Sequence, residues 1–254
     1  MSVVALVQAR MGSTRLPGKV MLPLGGTPVL THDVRRLRAA ETVDEVVVAT
    51  TSEPRDDIVA REAFRAGATV RRGSEDDVLG RMYDAATSLD IDPNVIVRAT
   101  GDDPLVAPAV VDRVVESVED GANYAANTLN RTFPQGLVVE AFDAESFETV
   151  ERRSDEPHQR EHVTQFYLER PDTFDLRNVT WGDVYDWSPP LGRGEVRLAL
   201  DEPNDYELLR RIYSGLAFDD RGIVPLRDAL AYVDDEDLAS LNRHVEQTKV
   251  RGDE

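Results

Sequence analysis

Val3-Val4-Ala5-Leu6-Val7 runs straight into Gln8-Ala9-Arg10-Met11-Gly12-Ser13-Thr14-Arg15-Leu16-Pro17-Gly18-Lys19, and the junction of these two stretches decides the fold. The first is a short, β-branched, wholly apolar run, the pattern of a strand buried on both faces of a sheet. The second gathers three cations, two glycines, two hydroxyls and a proline in the loop that follows it. Glycines let backbone N–H groups approach an anion closely, and Arg10, Arg15 and Lys19 add charge-assisted donors. Ligands of open α/β sheets bind at the carboxyl ends of the strands, so the stretch reads as a triphosphate-binding loop. It is not a Walker A loop. Five residues separate Gly12 from Gly18, and Val20 follows Lys19 where a metal-binding Ser or Thr belongs. Lys19 is one of only two lysines in the chain, the other being Lys249. A sequence that otherwise carries positive charge on arginine has kept an ammonium in this loop.

The remaining segments extend the same rhythm. Pro28 opens a helix through Arg38, and Glu45-Val46-Val47-Val48-Ala49-Thr50 is a second buried strand. A helix from Arg55 to Ala66, a short strand from Thr69 to Arg71 and a helix capped by Ser74 follow. Val95 to Ala99 is a strand, Pro108 to Val118 a helix, and Tyr124 to Thr128 a further strand. Strand and helix alternate to this point, which predicts a mostly parallel sheet covered on both faces. Beyond it, 136–142 is strand-like, 143–153 and 156–169 are helical, and Glu195 to Leu200 restores a strand. A helix over 204–216 and a helical remainder to about Thr248 complete the chain. The chain is expected to be a single domain over 1–254, with 130–190 as an inserted lobe for substrate or dimer contacts.

Composition narrows the function. With 48 acidic against 29 basic residues the net charge is −19, which disfavours nucleic-acid binding because the overall field repels a polyanion. The acids are dispersed, in the manner of a protein adapted to high salt. No cysteine is present, which excludes disulfides and thiolate chemistry. No apolar run is long enough for a bilayer and no signal-peptide pattern opens the chain, so the expected location is the cytoplasm, without a membrane partner.

Two acidic tips match in kind: Thr100-Gly101-Asp102-Asp103-Pro104 after one strand and Leu200-Asp201-Glu202-Pro203 after another. Carboxylates at strand ends beside a phosphate loop supply the hard oxygen ligands of a Mg²⁺ site, which phosphates and waters complete. His158-Gln159-Arg160-Glu161-His162 fits the H-x-x-E-H zinc pattern. Without a third ligand or a secretory context it reads better as an ordinary capped helix. Arg71, Arg72 and Arg81 either face the nucleotide or pair with nearby acids, and Trp181 to Trp187 reads as packing or interface.

Taken together these segments resemble the cytidylyltransferase family that includes the acylneuraminate and KDO synthetases, and within it the branch of spore coat polysaccharide biosynthesis protein F. The resemblance runs from Val3 to about Tyr213. It is carried by Gln8 to Val20, Arg72-Gly73-Ser74-Glu75-Asp76-Asp77-Val78-Leu79, Thr100-Gly101-Asp102, Arg160-Glu161-His162-Val163-Thr164 and Asp201-Glu202-Pro203-Asn204-Asp205. It implies a nucleotide-diphospho-sugar transferase fold, a Rossmann-like three-layer α/β sandwich. It also implies Mg²⁺-dependent transfer of CMP from CTP to a hydroxyl of a sugar acid of the nonulosonic type, with release of pyrophosphate. Carried over by position, Arg10, Ser13, Arg15 and Lys19 hold the triphosphate, with Ala9, Gly12, Thr100 and Arg72 beside the nucleotide. Asp102 and Asp201 hold the metal, and Arg10, Lys19, Asp102 and Asp201 are the expected catalytic set. A homodimer is the expected assembly. Val20 and Thr100 stand where those synthetases usually have Asn and Gln. A sugar-1-phosphate nucleotidyltransferase, a nucleotide-sugar glycosyltransferase and a non-catalytic nucleotide-binding subunit fit the same loop chemistry.

Overall fold

A computed structural model describes residues 1–188 and 196–245 of the chain. Strands β1 (Val3–Gln8), β4 (Glu45–Thr51), β5 (Thr69–Gly73) and β6 (Val95–Thr100) are parallel and form one half of a seven-stranded sheet. Between β1 and β4 lie a small hairpin, β2 (Pro23–Leu24) with β3 (Thr27–Pro28), and helix α1 (Val29–Arg38). The other half of the sheet is β7 (Tyr124–Ala126), β8 (Glu140–Asp143) and β9 (Leu176–Asn178), and the strand order is β5-β4-β1-β6-β8-β7-β9. Only β8 runs antiparallel to its neighbours.

Strand alternation divides the core in two. Val3, Ala5 and Val7 of β1, Val46 and Val48 of β4, and Val95, Val97 and Ala99 of β6 face one layer. That layer contains α1, α2 (Asp57–Arg65), α4 (Pro108–Glu119), α9 (Pro203–Gly215) and α10 (Leu226–Asp235). Val4, Leu6, Val47, Ala49 and Ile96 face the opposite layer, with α3 (Val78–Thr87), α5 (Ala144–Arg153) and the short α7 (Gln165–Leu168). Three layers result, as the run of β-branched residues on both faces of each strand requires. A single-face strand would instead alternate apolar with polar residues.

Several local expectations are corrected. The helix after β5 is capped by Asp77, whose carboxylate accepts from Gly80 N at 2.9 Å, and Ser74 instead accepts from Asp77 N at 3.1 Å. The expected helix over 156–169 breaks into α6 (Pro157–His162) and α7 at buried Val163, which has φ 57°. The remainder is helical only at α10 and a short turn over 238–241, and the end of that expectation lies outside the described residues.

The expected strand at 195–200 is not a sheet strand. Glu195 lies outside the described residues, and the rest makes a single bridge between Arg197 and Gln135. β8 already occupies the place beside β6, so Val196 to Leu200 crosses the carboxyl end of the sheet instead. Leu198 N bonds Gln135 O at 2.7 Å, and Leu200 N bonds Asp102 O at 3.0 Å. Gly136 allows this crossing. Its φ is +88°, and a Cβ there would stand 2.1 Å from Ala199 N.

The segment 130–190 contributes β8 and β9 to the main sheet, while α5, α6 and α8 (Trp181–Val184) pack on its two faces. Trp181 stacks among Phe133, Tyr185 and Trp187 and donates its Nε1–H to Trp187 O at 2.6 Å.

Candidate active site

The chain leaves β1 toward β4 on one side and returns later as β6 on the other, so the carboxyl ends of β1 and β6 flank a topological switch point. The loop after β1 is folded on itself there. Met11 O accepts from both Ser13 N at 2.9 Å and Gly18 N at 3.0 Å, and Gly18, at φ +72°, turns the chain into Lys19. Buried Asp56 clamps the loop from beneath, accepting from Met11 N at 2.6 Å and from the Thr51 hydroxyl. The tip after β6 is held against β1 by Gly101 N bonding Gln8 O at 3.0 Å.

One cleft results. Ala9, Arg10, Gly12, Ser13, Arg15, Lys19, Thr100, Asp102 and Asp201 all line it, although Lys19 and Asp201 are 182 positions apart. The Lys19 ammonium reaches both acidic tips at once, bonding Asp102 Oδ2 and, at 2.8 Å, Asp201 Oδ1. Arg15 Nη2 lies 3.0 Å from the same Asp201 oxygen. Burial opposes the charge on Lys19, but Asp102 and Asp201 outweigh it and its pKa is raised. Burial likewise works against the Asp201 carboxylate, and Lys19, Arg15 and Arg197 overcome it and hold its pKa down. Both groups are therefore fixed in their charged forms at neutral pH. Asp102 and Asp201 converge on one cationic atom, which is the arrangement two carboxylates need to share a divalent cation. Phosphate oxygens would supply further hard ligands. Among the described residues no cluster of three or more metal-ligating side chains exists, so neither the acidic tips nor the His158 helix forms a closed protein cage. His158 Nε2 lies 2.6 Å from Glu169, and Arg160 bridges Asp77 and Glu151.

Behind the front carboxylates lies a second acidic tier. Burial first, and Asp102 beside it second, push Asp103 up to about 7, while the Thr100 hydroxyl donates to it at 2.9 Å. Asp33 on α1 is fully buried and its pKa is pushed well above the usual carboxylate range by that burial, then by Asp103 and Asp102.

Arg72 does not join the cleft. Its guanidinium donates to Thr51 O at 2.8 Å, Asp57 Oδ1 at 2.6 Å and Glu53 O at 2.9 Å, where it fastens β5 to the end of β4. Arg71 is spent on Ser88 and Arg81 on Ser74 O. The residues that motif reading overlooks are supports. Arg197, nearly buried, grips Asp201 Oδ2 at 2.5 Å and Asp205 Oδ1 at 3.0 Å. Asp205 also accepts from Asp201 N and Glu202 N, both at 2.9 Å, and so fixes the second tip at the start of α9. An arginine two residues after a glutamate carries no signal of this kind in sequence. Asp205, three residues past the Glu202 cap, does fit a capping box.

The family model for cytidylyltransferases matches residues 4–212. The chain belongs to the cytidylyltransferase family. It is a nucleotidyltransferase by descent and by fold. The spore coat polysaccharide biosynthesis protein SpsF of Bacillus subtilis is 32% identical over 217 residues, covering 83% of this chain and 86% of that protein. A cytidylyltransferase structure from Leptospira borgpetersenii superposes with a TM-score of 0.84 at 30% identity, covering 98% of this chain and all of that one. The CMP:2-keto-3-deoxy-manno-octonic acid synthetase complexed with CTP gives a TM-score of 0.63 at 19% identity over 85% of this chain and 99% of its own, a likeness of fold. Every site residue but Arg72 that the resemblance singled out lies in the one cleft at the switch point of this fold.

Proposed function

We propose that this cytidylyltransferase transfers CMP from CTP to a hydroxyl of a sugar acid, of the nonulosonic type, in a Mg²⁺-dependent reaction that releases pyrophosphate. The product is an activated sugar for a surface polysaccharide or glycan. The observation that carries the reading is Lys19, whose ammonium meets Asp102 and Asp201 across the mouth of the cleft. Cation and carboxylates alternate there as a metal-bound triphosphate needs.

The acceptor oxygen attacks the α-phosphorus as the bond to the bridging oxygen breaks. Pyrophosphate carries away the electron pair, and the hydroxyl proton leaves to water. Such transfers depend on positioning and on neutralising charge as it moves. Arg10, Ser13 and Lys19 hold the outer phosphates, while Arg15 is shared with the acceptor side. Asp102 and Asp201 hold Mg²⁺, which when bound polarises the phosphoryl oxygens. An adjoining cleft lined by Arg15, Arg131, Arg197 and Gln135 beside Asp102, Asp103 and Asp201 supports an acidic acceptor through Arg131, whose guanidinium suits a carboxylate. The dispersed acidity supports a high-salt setting, and a homodimer is part of the same reading.

The test is pyrophosphate release in high-salt buffer with Mg²⁺, each of the four nucleoside triphosphates, and a panel of nonulosonic acids. Release with CTP and one acid is expected. Release only with a sugar phosphate would make the protein a sugar-1-phosphate nucleotidyltransferase instead. Nucleoside diphosphate in place of pyrophosphate would make it a glycosyltransferase.

A further inference from the structure

The turn over Pro54–Asp56, between β4 and α2, sends two neighbouring side chains to the same loop from opposite sides. Asp56 is buried and holds Met11 N. Arg55 lies outside, against the next residue of the loop: a Cβ added to Gly12 would stand 3.3 Å from Arg55 Nη2 and 3.3 Å from Glu75 Oε1. Arg55 Nη2 bonds both oxygens of Glu75, and Arg10 Nη1 bonds Glu75 Oε1 at 3.0 Å. Two guanidiniums from different elements thus converge on one carboxylate beside the Gly12 peptide. Glu75 is presented by the β5–α3 connection, which Arg81 fastens through Ser74 O and, at 3.3 Å, Glu75 O.

We propose that Arg55 is a further polyphosphate-binding residue of this cleft, and that Glu75 competes with the outer phosphates of a nucleoside triphosphate for Arg55 and Arg10. The assignment rests on the nucleotide reading of the cleft given above. A carboxylate and a phosphate present the same pair of oxygens to a guanidinium, so one can take the other's place without moving the donors. The exchange is cheap, because the side chains of Arg10 and Arg55 are 43% and 51% exposed and ion pairs so open to water contribute little. It is favourable, because a triphosphate brings several negative charges where Glu75 brings one. Asp56 makes the geometry dependable: the same short turn that fixes the loop backbone fixes the origin of Arg55.

Calorimetric titration of the full chain with each of the four nucleoside triphosphates, their monophosphates and inorganic tripolyphosphate, in one buffer with Mg²⁺, tests this on wild type, Arg55→Ala, Arg55→Lys and Glu75→Gln. Arg55→Ala is expected to weaken CTP and tripolyphosphate by about tenfold, the scale of one charge-assisted contact, while CMP changes by less than about twofold. Arg55→Lys recovers part of the loss, and Glu75→Gln tightens CTP while leaving CMP unchanged. Equal weakening of CTP and CMP in Arg55→Ala would mean that the residue only braces the turn, and would overturn the proposal. So would unchanged CTP affinity in that variant, or weaker CTP binding in Glu75→Gln. If another triphosphate binds in place of CTP, the CTP assignment falls and the same comparison is read on that nucleotide and its monophosphate. If none of the four triphosphates and no tripolyphosphate binds, both readings fall together.

Discussion

At the scale of single residues, Lys19 and Asp201 are joined by a contact that sequence distance hides, and each supports the ionised form of the other. We expect Lys19→Ala and Asp201→Asn each to lower turnover by about a hundredfold or more, since in the proposed reaction each is a fixed charge facing the phosphates. Circular dichroism should show the fold unchanged, and near-normal rates in either variant would remove that residue from the site. Asp33 makes a different prediction. Both of its oxygens are buried without a hydrogen-bond partner among the described residues, and burial pushes its pKa well above normal. The folded state therefore keeps this proton to higher pH than the unfolded chain does. Its stability cost is absent below the unfolded pKa and grows as pH rises above it. Asp33→Asn should become progressively more stable than wild type between pH 4 and pH 8 in urea unfolding. A gap that stays constant over that range would mean Asp33 is ionised in the fold.

Among the elements, β1, β4 and β6 were legible because each opens on a β-branched apolar run, and the mostly parallel sheet followed from their rhythm with the helices, although its strand order did not. The loop after β1 was legible as a candidate phosphate site because its chemistry is local. What escaped sequence reading was set by partners far along the chain. Val196 to Leu200 has the composition of a strand, but β8 already takes the sheet position, and only Gly136 lets the segment pass across the strand ends. Arg72 sits in a matching motif, but its three acceptors come from the end of β4, the turn after it and the start of α2, and withdraw it from the cleft. Asp56 and Arg197, which clamp the loop and the second tip, stand in no motif at all. The crossing yields a sharp prediction. Gly136→Ala must relieve both a positive φ and a Cβ 2.1 Å from Ala199 N, so a drop in melting temperature of about 10 °C is expected. A variant that melts with the wild type would show that the 136–199 approach is loose.

For the whole molecule, the charge balance sets the conditions of work. A net charge of −19 spread over the surface repels itself in dilute buffer and is screened at high ionic strength. Melting temperature should rise by several degrees from dilute buffer to molar KCl, and equal values in both would reject adaptation to salt. The backbone bond from Leu200 N to Asp102 O, which ties the two acidic tips together, joins stretches that are synthesised far apart in time. A chain emerging from the ribosome presents Lys19 and its loop early and, 83 positions later, Asp102. Asp201 follows 182 positions after Lys19, and it is oriented by Asp205 only after that. A nascent chain thus holds the loop after β1 long before it holds the second carboxylate. The cleft is incomplete until its second acidic tip has been made.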